Sequence, residues 1–174
     1  MIPISELHVG KGAHAGIAMI GASHSLIART YGVPEADLVS VDQVHGTKSV
    51  VISHSDRSDA GTEADAMITA EGGLILCIKV ADCCGVLLHD PDRHVVAAIH
   101  SGWRGSAAKI TTSVVQRLQE EFGVETSHLY AALSPCASGA HYEVGKDVYD
   151  RLSESCVPVD GRPEKWWFDN DAGI

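Results

Sequence analysis

The chain has 174 residues, 45% of them hydrophobic and 21% charged, with a formal charge of −10, which fits one globular domain large enough to bury a core. The acidic balance and the lack of any Lys/Arg cluster argue against a nucleic-acid partner, because phosphate backbones are bound through grouped cations. No apolar run reaches the roughly 18–20 residues that span a bilayer, and the N-terminus lacks the charged and apolar regions of a signal peptide, so a cytoplasmic protein with no membrane partner is expected.

With only nine aromatic residues, the core must be built from Val, Ile, Leu and Ala. Cys77, Cys83, Cys84, Cys136 and Cys156 make an odd set with a vicinal pair, unlike a disulfide framework and consistent with a reducing compartment. Cys77 and Cys156 read as unpaired thiols.

The first clear element is a helix over 23–31, stopped by Gly32 and Pro34. Short β-like runs follow at 38–41 and 49–53, and residues 55–63, with Gly61 among them, read as a surface loop. Apolar, β-branched runs at 66–69, 74–80, 85–89 and 95–100 predict the main strands, the last two joined by an Asp90-Pro91-Asp92-Arg93 hairpin turn. Beyond Gly105 the period changes. Ile110, Val114, Leu118 and Phe122 recur every four residues, the mark of an amphipathic helix that Gly123 can cap. A strand over 128–133 precedes a Gly/Ser/Pro loop and a helix near 146–154. Residues 165–174, with two tryptophans, show no full element. Strands mixed with helices predict an α/β or α+β layered domain.

Chemistry gathers at the strand ends, where a rigid sheet positions loops. Gln43-Val44-His45-Gly46, Ala81-Asp82-Cys83 and His100-Ser101-Gly102-Trp103-Arg104-Gly105 stand out. Alone, His45 reads more readily as a satisfied structural histidine than as a ligand, and Cys83 as a buried thiol, a nucleophile or a ligand. Together, two imidazoles and a thiolate form a zinc ligand set that leaves a fourth position open. The 38 residues from His45 to Cys83 and 17 from Cys83 to His100 are too long for a zinc knuckle and suit ligands gathered from separate strands. Gly105 is expected to open the long helix, with its first amides and Arg104 receiving an anion such as phosphate.

The sequence resembles the YfiH-like proteins, also called laccase-domain or polyphenol-oxidase-like proteins. The resemblance runs through QVHG at 43–46, EADAMIT at 63–69, ADC at 81–83, HSGWRG at 100–105 and HYEVG at 141–145. It implies an α+β fold, a layered α-β-β-α sandwich with mixed sheets, shared with the catalytic domain of cytotoxic necrotizing factor. It also implies that His45, Cys83 and His100 are both zinc ligands and catalytic centre. The activities implied are phosphorolysis of adenosine, inosine and methylthioadenosine and deamination of adenosine, with nucleoside and phosphate as partners. Cys84-Gly85 replaces the family's usual proline-containing step, and the loop over 134–141 departs from its paired-cysteine pattern. The family's N-terminal Arg/Gly motif and C-terminal Ser-Tyr-Arg-Arg-like segment are not found, so residues 1–174 are expected to form a single metal-binding catalytic domain without them.

On this basis Arg104 is expected to hold phosphate, with Gln43 and Asp65 contacting substrate or supporting a ligand. Three other readings stand beside it. Cys83 with His100 or His45 could form a metal-independent hydrolase. Copper could occupy the same donors, although no His-X-His pair is present to build a multicopper cluster. A shortened domain could also serve as a non-catalytic binding module.

Overall fold

The structure is a computed structural model that describes residues 4–7, 12–18, 22–56, 61–153, 156–159 and 161–168. In chain order the strands are β1 (Ile4–Leu7), β2 (Ala15–Ala18), β3 (Leu38–Ser40), β4 (Ser49–Val51), β5 (Ala66–Thr69), β6 (Ile75–Cys77), β7 (Cys84–Asp90), β8 (Val95–Ser101), β9 (Tyr130–Leu133), β10 (Glu143–Val144), β11 (Cys156–Val159) and β12 (Arg162–Phe168). The helices are α1 (His24–Tyr31), α2 (Trp103–Ala107), α3 (Ile110–Phe122) and α4 (Lys146–Leu152).

The central sheet has the order β4-β5-β8-β7-β9, with β4 and β5 parallel and the other pairs antiparallel. Alternation along its strands creates two apolar faces. On one, Ile68, Val86, Leu88, Val95 and Ile99 pack against Ile110, Val114 and Leu118 of α3. The four-residue spacing of those side chains puts them on one helical stripe. On the other face, Met67 packs with Val39 and Ile52 and with Leu76 from the parallel β3–β6 pair. The layers therefore run from α3 through the central sheet to β3–β6, with α1 leading into β3. The buried apolar side chains among the described residues are Ala, Leu, Val, Ile and Met, as a sequence poor in aromatics requires.

Local signals account for the helix ends. The Ser23 hydroxyl accepts from the Leu26 amide at the start of α1, and Gly32 (φ 68°) and Gly123 (φ 65°) end α1 and α3 in the left-handed conformation that glycine adopts without a Cβ clash. The hairpin turn forms as expected, with Asp90 Oδ1 accepting from the amides of Asp92 and Arg93.

The structure corrects several expectations. The strand expected over 74–80 shrinks to β6, and those over 38–41 and 49–53 end one and two residues early. Residues 126–128 form a 3-10 turn, so the strand expected from 128 starts at Tyr130. Residues 57–60 of the expected surface loop, 154 of the last helix and 169–174 lie outside the described residues. Residues 165–168 belong to a full strand, β12, which pairs antiparallel with β10 and β11. Trp166 stacks on Tyr149 of α4, with centroids 4.4 Å apart. That tertiary contact, together with cross-strand pairing, stabilises a segment whose own pattern is weak.

Candidate metal centre

Sheet register brings the three candidate ligands together. Cys84 pairs with Ser101 across β7 and β8, so Cys83 and Gly102 face each other just beyond the ladder. Ala66 pairs with Ile99 across β5 and β8. Asp65 therefore stands beside His100, whose amide donates to the Asp65 carbonyl at 2.7 Å. His45 arrives from the loop between β3 and β4. The ligand atoms of His45, Cys83 and His100 all lie within 4.8 Å of one another, and the two imidazoles meet edge to face with centroids 4.7 Å apart.

Asp65 organises the cluster. It is fully buried, and its Oδ1 accepts from His100 Nδ1 at 2.8 Å and from the His45 amide at 2.9 Å. Its Oδ2 accepts from the Gly46 amide at 2.7 Å. Burial by itself would raise the pKa of this carboxyl, but the hydrogen bonds from His100, Gly46 and His45 outweigh it and hold it below the usual range. The His100 contact leaves Nε2 as the nitrogen for a metal, a familiar carboxylate–histidine arrangement. The bonds to the loop amides support His45 in a left-handed backbone (φ 60°), a conformation that costs a non-glycine residue about 1–2 kcal/mol.

Gly102 provides the space. A Cβ there would stand 3.0 Å from Cys83 Sγ and 3.0 Å from His45 Cδ2, so a larger residue would fill the cradle between the donors. Gln43 ties the loops together: its Nε2 donates to the Lys79 carbonyl and its Oε1 accepts from the Lys79 amide, both at 2.7 Å. Burial first, then the carboxylates of Asp82 and Asp65 and the Cys136 thiol, push the Cys83 thiol up. A thiol in that setting needs an adjacent cation to become a thiolate. Two imidazole nitrogens and a sulfur, with a carboxylate behind one ring, form a donor set that could hold a metal ion.

The donors border an open cleft with two lobes that share His45, Trp103 and Arg104. The lobe beside Cys83 measures about 540 Å³ and includes Gln43, Asp82 and Tyr142. The other measures about 470 Å³ and includes Thr47, Asp147 and Arg151. The Arg104 guanidinium lies over the Trp103 ring at 4.2 Å, a cation–π contact that orients it. Burial, together with Cys83 and Asp82, keeps the Tyr142 hydroxyl protonated beyond its ordinary range.

The expected long helix from Gly105 is interrupted. Gly102 precedes the single short helix α2, and Lys109 (φ 58°) breaks it from α3. A Cβ on Gly105 would come within 3.3 Å of the Gly46 carbonyl, so this glycine serves close packing of α2 on the His45 loop rather than a helix start. The expected anion site therefore has no long-helix N-terminus beside Arg104. Gln43 faces the cleft with both polar side-chain atoms engaged by Lys79, and Asp65 lies behind the donors. Trp103, Tyr142 and Arg151 were missed as cleft residues. The first two sit inside the HSGWRG and HYEVG motifs, whereas nothing in the sequence marks Arg151.

Fold and site together define a layered α-β-β-α domain with a His/Cys cluster at the ends of its central strands. Among the described residues this is the one group with donors for a metal ion. Residues 3–172 match the family described as multi-copper polyphenol oxidoreductase laccase, and the chain belongs to this YfiH-like family. A Bacteroides thetaiotaomicron protein named purine nucleoside phosphorylase is 37% identical over 71% of this chain and 48% of its own length. A Streptomyces coelicolor protein of the same name is 33% identical over 99% of this chain and 72% of its own. The crystal structure of YlmD from Geobacillus stearothermophilus superimposes with a TM-score of 0.76 at 25% identity, covering 86% of this chain and 60% of that one. The chain thus spans between about half and three quarters of these proteins. No helix among the described residues is long and apolar enough to cross a membrane.

Proposed function

We propose that this chain is a single metal-binding catalytic domain of a zinc-dependent purine nucleoside phosphorylase, acting on adenosine, inosine and methylthioadenosine, with adenosine deamination as a second activity. The observation that carries the reading is the convergence of His45, Cys83 and His100 on the rim of a cleft that also holds Trp103, Arg104 and Tyr142. The names of the relatives support the substrate class.

His45, Cys83 and His100 would hold the metal, with Asp65 fixing the His100 ring. When bound, zinc supplies a Lewis acid that stabilises developing negative charge or lowers the pKa of water. In phosphorolysis an oxygen of inorganic phosphate attacks ribose C1′, the C1′–N9 bond breaks, and base and ribose 1-phosphate leave. Arg104 would neutralise and orient the phosphate. Trp103 and Tyr142 offer flat apolar surface for the purine, and the protonated Tyr142 hydroxyl can donate a hydrogen bond to the departing base.

Copper suits the same donors, and elemental analysis of purified protein distinguishes the two ions. A metal-independent Cys83 nucleophile is the less favoured reading, because burial and neighbouring carboxylates raise the thiol pKa. The decisive assay follows inosine turnover with and without phosphate at known zinc content. Phosphate-dependent release of hypoxanthine, lost on Cys83→Ser together with the zinc, is the expected result. If no base is released while zinc is bound, the phosphorylase reading fails, and absence of adenosine deamination as well would leave a binding module.

A further inference from the structure

We infer that the lobe between α2 and α4 is a binding site for a phosphoryl oxyanion, in which Arg151 joins Arg104. Identifying the ligand as the attacking phosphate rests on the phosphorylase reading; the site itself does not.

The lobe is a concavity of about 470 Å³ on the side of the cleft lined by Thr47 and Arg151 rather than Cys83. Residues with hydrogen-bond donors line it from three separate elements: Thr47 from the loop before β4, Arg104 from α2 and Arg151 from the last turn of α4. In a chain with ten more acidic than basic residues, two guanidiniums lining one concavity call for an anion. Guanidinium forks match the tetrahedral oxygens of phosphate in charge and geometry.

Both arginines have supported positions. Arg104 lies on Trp103. Arg151 is carried by a helix that buries Val148 and stacks Tyr149 on Trp166 of β12. The lobe's one carboxylate, Asp147, has an oxygen 3.1 Å from where a Cβ on Gly145 would sit, which directs it toward the start of α4. Arg104 and His45 border both lobes, so a phosphoryl group held here adjoins the space beside the metal donors. It could belong to inorganic phosphate or to the 5′-phosphate of a nucleotide substrate.

Calorimetric titration of the zinc-loaded chain with inorganic phosphate, and separately with adenosine 5′-monophosphate, tests the site. The expected result is inorganic phosphate binding that weakens about ten-fold in Arg151→Gln, the loss of roughly one charged hydrogen-bonded contact, with part of the affinity restored in Arg151→Lys. Zinc stoichiometry and circular dichroism should match wild type, showing that the loss is not unfolding. Arg151-dependent binding of the nucleotide alone would also support the site and would assign it to a substrate phosphoryl group. Equal affinity of wild type and Arg151→Gln for both probes, or no binding of either to wild type, overturns the inference. The two readings separate cleanly. Phosphate held through Arg151 without base release leaves the site and removes the phosphorylase. Phosphorolysis whose KM for phosphate ignores Arg151→Gln does the reverse.

Discussion

At the residue scale, Asp65 has the widest influence, since one buried carboxylate orients His100 and holds the strained His45 loop. In Asp65→Asn an amide NH2 would face donors that need acceptors. Zinc affinity should fall about 10–100-fold, and stability by about 1.5–3 kcal/mol, read by chelator competition and urea unfolding. Because its folded pKa lies below the unfolded value, Asp65 stabilises the fold fully above the ordinary carboxylate range. That contribution fades as the pH falls through and below it. The wild type should therefore lose more stability than Asp65→Asn on acidification. Gly102→Ala tests the cradle: a methyl group 3.0 Å from both Cys83 Sγ and His45 Cδ2 should weaken zinc binding while the circular dichroism stays unchanged. Cysteine reactivity should divide by setting as well. Burial pushes the Cys77 thiol up to about 11, whereas Cys136 is exposed. At mildly alkaline pH, mass spectrometry after brief alkylation should find Cys136 modified and Cys77 intact.

At the element scale, α3 illustrates what a sequence displays openly. Ile110, Val114 and Leu118 recur at helical spacing and are at most 1% exposed, and Gly123 ends the helix as expected. Leu118→Ala should cost about 2–5 kcal/mol, measured by chemical denaturation, because its cavity opens between helix and sheet far from the donors. The break before α3 was hidden, since residues 106–109 read as ordinary helix formers and nothing among them announces the left-handed Lys109. β12 was hidden too. Its run contains a proline and charged residues, and its order comes from β10, β11 and the Tyr149–Trp166 stack. The clustering of His45, Cys83 and His100 was legible because His and Cys in strand-end motifs are chemically conspicuous. Arg151 was not, because an arginine late in a short helix looks like any solvated side chain until the tertiary structure brings it to the cleft.

For the whole molecule, the His/Cys cluster joins segments from three parts of the chain, so a bound ion should stabilise the entire fold. A ligand at one hundred times its Kd adds about 2.7 kcal/mol when it binds only the folded state. Thermal melting after chelation and again after zinc is restored should show a lower and then a recovered Tm. Cys83→Ser should make the melting temperature insensitive to added zinc.

The Gln43 amide facing the Lys79 backbone imitates one rung of a β-ladder with a side chain. It staples the approach to His45 onto the stretch leading to Cys83 by bonds that owe nothing to an ion. The receptacle is thus shaped in advance, and capturing a cation should resemble filling a mould more than folding a chain. A stripped sample should accordingly regain its metal in one fast phase, with no slow conformational lag.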